Sequence, residues 1–305
     1  MRLFATVAGI ALTFALSACG DSDMPAHEAG ALEAAVAHEI GADPAMAAAS
    51  APRLEQLWVT TGFDAPEGAA LGPDGSYFIS NVAGDGSAKA GNGFVSKVGT
   101  DGTVLMLRWA DGLNAPKGMT VLGDTLYVAD IDQIVTFDAH SGTKQDTIPI
   151  DGAKMLNDMT VWKDEVLVSD SGTASIHRLT ADGPQLLGYS TDWAGVNGVL
   201  GDGDRLLITT MAEGYLIDFR GADAEDILAR GMKNADGVGL VPGGGYLVSS
   251  WPGQIHYVSE DGQVTTLQDT QEAGILQNDL SVFGDVVIVP NWMPGTVTAW
   301  RVVRD

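Results

Sequence analysis

The sequence holds a single cysteine, Cys19, so no disulfide can close within the chain and the fold must stand on its core. Basic residues are scarce: 16 Lys and Arg stand against 40 Asp and Glu, a formal charge of −24 over 305 residues. That field repels nucleic acid and anionic membrane surfaces and attracts cations. Several catalytic signatures are missing: there is no G-x-S-x-G elbow, no H-E-x-x-H pair and no Walker loop. Histidine is sparse, at 5 residues. His27 and His38 have no ligand partners near them, His140 falls in an Asp-Ala-His-Ser-Gly turn, and His177 and His256 fall mid-strand. None is placed to act as a general base. What is abundant is apolar residue, at 45%, and glycine, at 39 residues, often in D-G and G-D turn pairs. One large all-β domain fits that supply.

The chain opens Met1-Arg2 and runs apolar from Leu3 to Leu16, a length that suits a secretion signal and falls short of a bilayer span. Leu16-Ser-Ala-Cys19 then looks like the lipobox of bacterial lipoproteins. The resemblance implies that residues 1–18 are a signal peptide and that Cys19 is lipidated. Gly20, in place of Asp, leans the destination toward the periplasmic face of the outer membrane. Residues 19–52 are rich in Ala and read as a tether between lipid and domain. The expected product is a monomer of the cell envelope that meets the membrane only through that anchor.

From residue 53 to 305 the sequence repeats, and the repeat decides the fold. Each unit opens with a polar segment ending in Gly or Asp, followed by paired apolar strands. The six anchors are Gly68, Gly118, Asp158, Gly198, Gly237 and Asp279, spaced by 50, 40, 40, 39 and 42 residues. That period fits a four-stranded blade, and the expected architecture is an all-β, six-bladed β-propeller. The long first interval holds a Gly-rich insertion over 83–93, read as a loop. The last repeat has only three strands before the chain ends, whereas Leu54–Thr60 is a strand with no repeat of its own. Placing that strand at the outer edge of blade six completes it and closes the ring.

The residues before the six anchors are Glu67, Lys117, Asn157, Asn197, Asp236 and Asn278. Equivalent positions at the start of inner strands face one another across a propeller channel. Five of the six carry oxygen donors, which suits Ca²⁺ or another hard divalent ion. Asn and Asp are also common after turns, so the types alone decide little.

The blade assignment carries more. Pro66-Glu67-Gly68, Asn157-Asp158, Asn197-Gly198 and Asp236-Gly237 resemble the family of senescence marker protein (regucalcin), gluconolactonases, diisopropyl-fluorophosphatase and paraoxonases. That resemblance implies one Ca²⁺ held by Glu67, Asn157, Asn197 and Asp236. It implies hydrolysis of a small lactone, ester or phosphotriester, with Asp236 and Asn157 in the catalytic roles and either water or Asp236 as nucleophile. Asn278 completes the ring as a substrate contact. Lys117 departs from the pattern. It reads as an exposed lysine ahead of a strand, or else as an anchor for a substrate carboxylate or phosphate. Asp158 and Asp279 read as turn caps. Trp251 and Trp292, after the second strands of their blades, give a weak hint of a pocket. The alternative function is a non-catalytic propeller binding a protein or glycan, because Ala115-Pro-Lys-Gly-Met-Thr-Val and Leu126-Tyr-Val-Ala-Asp also resemble NHL repeats. In that case any Ca²⁺ is structural.

Overall fold

The computed structural model describes residues 50–221 and 224–304. The expected signal peptide, the lipidated Cys19 and the tether up to residue 49 lie outside the described residues.

Six antiparallel sheets follow one another along the chain. Blade two shows the plan: an inner strand Pro116–Leu122, then Thr125–Asp130, Gln133–Asp138 and an outer Lys144–Pro149. The inner and second strands are almost wholly buried and the outer ones half exposed, as in Val166–Asp170 against Gly183–Tyr189. That gradient is why the inner strands read as continuous apolar runs. The 83–93 insertion is a loop: no strand lies between Asn81 and Gly93.

Blade six closes the ring as the orphan strand requires. Arg53–Thr61 pairs antiparallel with Thr296–Val303, from Arg53 opposite Val303 to Thr61 opposite Thr296. Its inner strand is broken into Leu276–Gln277 and Ser281–Phe283, both paired with Val286–Met293. The seam to blade one is sewn by Ser281 Oγ donating to Ala69 O (2.8 Å) and Trp58 Nε1 donating to Thr100 O (3.0 Å). Completing the blade from the other chain end removes two open sheet edges.

The core lies between blades. Phe78 of blade one meets Trp109 with ring centroids 4.4 Å apart, and both pack on Leu126 and Phe137 of blade two. Trp193 and Phe219 form an edge-on pair at 5.3 Å in the cluster joining blades three and four. Each such buried large side chain contributes about 1.5–3 kcal/mol.

The polar residue ending the second strand fixes the segment that opens its blade. Asp130 accepts from the backbone N–H of Asn114 and Ala115 (2.9 and 2.8 Å). Asp170 accepts from Lys154 and Met155, and Asn81 Oδ1 accepts from Asp64 N–H. These side chains tie down loop amides that strand pairing leaves free.

Candidate metal centre

The inner strands of blades one to five break register at the same place, and that of blade six is interrupted there. Pairing with the second strand shifts between Pro66 and Ala69, Pro116 and Met119, Leu156 and Met159, Val196 and Val199, and Ala235 and Val238. The two residues skipped in each blade are the ring residue and its anchor. Such a bulge re-aims side chains that a regular strand would place in the blade. Hydroxyls on the second strands hold it. Ser80 Oγ accepts from Gly68 N–H, Ser249 Oγ from Gly237 N–H, and Ser169 Oγ from Asp158 N–H while donating to Asn197 O (2.7 Å). Thr209 donates to Asp236 O in the same way. Blade two has Ala129 at this position, and blade two carries the lysine.

The five bulges, with the break in the inner strand of blade six, deliver Glu67, Lys117, Asn157, Asn197, Asp236 and Asn278 to the lining of one cavity of about 330 Å³ at the mouth of the channel. All six are buried. The sequence ring is therefore brought together. Glu67 Oε2 and Asp236 Oδ1 are buried with no hydrogen-bond partner. Asn157 donates its amide N–H to Ser171 Oγ (3.1 Å), which itself donates to Val196 O. That leaves the Asn157 carbonyl oxygen as its unspent group.

Burial pushes the Glu67 carboxyl up to about 8; the nearby Lys117 charge pulls it down and Asp236 and Asp158 raise it further. Burial likewise pushes Asp236 up to about 7, with Asp158 adding and Lys117 opposing. Two unpaired carboxylates among buried amides make a pocket short of positive charge. Among the described residues no three His, Cys, Asp or Glu side chains form a metal cluster, so the donor set leans on amide oxygens. A set of carboxylates and amides, without thiolate or imidazole, fits a hard, oxygen-seeking ion better than zinc.

Lys117 is not the exposed lysine expected from the sequence. It is 6% exposed. The first-blade loop folds back over the mouth: a Cβ at Gly86 would lie 3.6 Å from Lys117 Nζ and 3.7 Å from the Trp292 ring. Lys89 of the same loop pairs with Asp132 of blade two (2.5 Å). No ion pair or hydrogen bond to the Lys117 amine is formed within the described residues.

Asp158 and Asp279 do not cap turns. Asp158 lies in its bulge and Asp279 in the break of the blade-six inner strand, each one residue along from the ring and packed against the neighbouring blade. Asp158 Oδ1 accepts from Met159 N–H (2.7 Å) and its Oδ2 from Val199 N–H of the next blade (2.8 Å). Asp279 Oδ1 accepts from Leu280 N–H (2.7 Å). The room comes from glycine in the preceding blade. A Cβ at Gly118 would stand 2.5 Å from Asp158 Cα, and one at Gly237 would overlap the Asp279 carboxylate. Burial pushes Asp158 up to about 7 against those backbone bonds, and raises Asp279 together with Asp158, Asp236 and Glu67. A second cavity of about 220 Å³, lined by Asp158, Thr160 and Phe283 among others, lies on that side.

Trp251 and Trp292 are placed in the upper cavity, their rings edge-on at 6.3 Å. Met155 and Met211 join them, and the sequence reading missed both. For Met211 a signal was available. Val82, Ile131, Ser171, Met211, Trp251 and Trp292 each follow the polar end of a second strand, and so form an outer ring above the first. The remaining tryptophans are packing: Trp109 and Trp162 are buried in clusters and Trp58 and Trp300 pack partly buried at the blade-six seam. The histidines of the described residues stay out of the cavity. His177 bonds Ser175, His256 bonds Thr266, and burial lowers both; His140 bonds Asp124 at the surface.

No family model and no curated protein sequence matches the chain. Solved structures do. A gluconolactonase from Xanthomonas campestris superposes with a TM-score of 0.65 at 16% identity, over 84% of this chain and 96% of that one. A second, putative gluconolactonase gives 0.62 at 15%, over 84% and 93%. Virginiamycin B lyase from Staphylococcus aureus, solved with quinupristin as a catalytically inactive variant, gives 0.56 at 12%, over 83% and 100%. At these identities the likeness establishes the propeller fold and leaves the chemistry to the chain's own residues.

Proposed function

We propose that the protein is a calcium-dependent hydrolase of a small lactone, ester or phosphotriester. Glu67, Asn157, Asn197 and Asp236 would hold the ion. The observation that carries this reading is the pair of buried, unpartnered carboxylate oxygens, Glu67 Oε2 and Asp236 Oδ1, on two residues that line one cavity. An uncompensated buried carboxylate costs several kcal/mol, and a bound cation offsets that cost.

When bound, Ca²⁺ supplies a Lewis acid for a carbonyl or phosphoryl oxygen and stabilises the charge that develops there. The chain's own groups do the rest. With no histidine of the described residues in the cavity lining, the ionised Asp236 carboxylate would orient an attacking water or itself attack. Asn157, oriented by Ser171, presents an amide carbonyl to the ion or to the attacking group. Trp251, Trp292, Met155 and Met211 form an apolar wall that accepts the substrate body and thins the water around the reacting bond. The gluconolactonase structures support a hydrolase on this fold without defining a substrate.

Titration of the mature protein with Ca²⁺, followed by a panel of lactones, aryl esters and phosphotriesters, tests the reading. Tight binding with chelator-sensitive turnover of at least one class is the expected result. Tight binding with no turnover would leave a binding propeller with a structural ion. We further propose export and lipidation at Cys19. A membrane-associated form whose mass exceeds that of the processed chain by a diacylglyceryl and an acyl group is the expected observation, and a soluble form keeping residues 1–18 would contradict it.

A further inference from the structure

The cavity's lining is uneven in a way that selects its ligand. Oxygen donors occupy the floor, from Glu67 around to Asn278. The wall above is built from two indoles and two thioethers. One cation, Lys117, stands between them. It is buried, lines the same cavity, and its amine lies beside the Gly86 backbone with carboxylates near it but none in ion-pair contact among the described residues.

The groups around that amine leave it available. Its charge pulls Glu67 and Asp236 down, yet neither comes within 4 Å as an ion pair among the described residues. The nearest acid on the loop, Asp85, is exposed and its Oδ1 is taken by the N–H and hydroxyl of Ser87 (2.8 and 2.7 Å). Among the described residues no aromatic ring stacks on the ammonium either. The residue is buried, yet its amine keeps access to the cavity and has no protein partner among the described residues, so an anion entering the cavity can pair with it.

Resting on the hydrolase reading above, we propose that the substrate is an apolar ester or lactone carrying its own anionic group, a carboxylate or phosphonate, which pairs with Lys117. The apolar body lies against Trp251, Trp292, Met155 and Met211, while the reacting oxygen faces the ring of donors. The same lining disfavours a sugar lactone. Its hydroxyl groups would meet indole faces and sulfur above the floor, where few hydrogen bonds are on offer. Lys117 is thus a specificity residue that touches substrate, and Gly86 leaves the space in which the anion sits.

The test reads binding, so it does not depend on turnover. The Ca²⁺-loaded mature protein is titrated by calorimetry with phenylacetate and with its neutral isostere phenylacetamide. The wild type should prefer phenylacetate by about tenfold or more, as a charge-assisted hydrogen bond in a dry site would give. Lys117→Met should reduce that preference to about twofold or less, and Lys117→Arg should keep most of it. Gly86→Asp places a tethered carboxylate beside the amine at ordinary contact distance, and should block phenylacetate while leaving Ca²⁺ binding intact. Equal affinity for the two probes in the wild type would overturn the proposal. So would a preference that survives Lys117→Met, since the carboxylate would then be bound by the ion. Failure of every ester and lactone in the turnover panel would sink the hydrolase reading and leave this binding result standing.

Discussion

Two layers of acid side chains share one channel, one residue apart in sequence, and the backbone treats them differently. In the lower layer, Asp158 is clasped by Met159 N–H and by Val199 N–H of the next blade, and Asp279 by Leu280 N–H. In the upper layer, Glu67 Oε2 and Asp236 Oδ1 are as deeply buried and have no partner. A carboxylate supplied with amide donors is a staple between blades. One kept without them is held for something that arrives from outside. The same interruption of the inner strand produces both, since in each blade it turns two successive positions out of the sheet and into the channel.

Substitutions should separate the layers, beginning with the largest effect. Asp236→Asn or Glu67→Gln should weaken Ca²⁺ binding on the order of 100-fold or more, because affinity follows the charge of the ligand set. The same change should leave the chelator-treated protein as stable as wild type, or more so, in a thermal melt. Asp158→Ala should do the reverse in the melt: it strands two buried N–H groups and should cost about 2–4 kcal/mol. Gly237→Ala, which drives a methyl group into the Asp279 carboxylate, should cost about 3 kcal/mol by denaturant titration. An upper-layer substitution that destabilises the metal-free protein as much as Asp158→Ala would erase the distinction.

pH offers a second way to break it. Glu67 and Asp236 are pushed up to about 8 and about 7, above the range of a carboxylate in the unfolded chain. The folded, metal-free protein therefore binds more protons than the unfolded one between about pH 4 and pH 8, and its stability should fall as pH rises through that window. Saturating Ca²⁺ keeps the upper-layer groups ionised and should remove their share of the slope, leaving the share of Asp158 and Asp279, which burial also raises. Melting temperatures from pH 5 to pH 8, with Ca²⁺ and with chelator, measure both. A smaller effect is expected at Lys117. Lys117→Met removes a positive charge that opposes the ion, and should tighten Ca²⁺ binding by about tenfold or less.

Much of this architecture is legible in the sequence. The 39–50 residue spacing of the anchors and the orphan strand at residues 54–60 give six blades and their closure, because each blade repeats one hydrogen-bonding unit whose turns leave a local trace. The ring of Glu67, Asn157, Asn197 and Asp236 is legible for the same reason: blade symmetry carries equivalent positions to one axis. What stays hidden depends on contacts between repeats. Asp158 and Asp279 look like turn residues along the chain, and only the glycines of the neighbouring blades reveal the space they fill. Lys117 looks exposed until the loop around Gly86 folds back over it. The apolar wall is written at the ends of separate strands, where Met211, Trp251 and Trp292 differ from Val82 and Ile131 only by size.

The central claim is that the unpartnered upper-layer carboxylates hold a hard divalent cation. Calorimetric titration of Ca²⁺ at pH 7, repeated in two buffers of different ionisation enthalpy, tests it most directly. The account predicts one ion per chain, bound with release of at least a fraction of a proton from Glu67 and Asp236, and both signals lost in Asp236→Asn. Absence of binding at millimolar Ca²⁺, or binding that persists unchanged in Asp236→Asn, would contradict it.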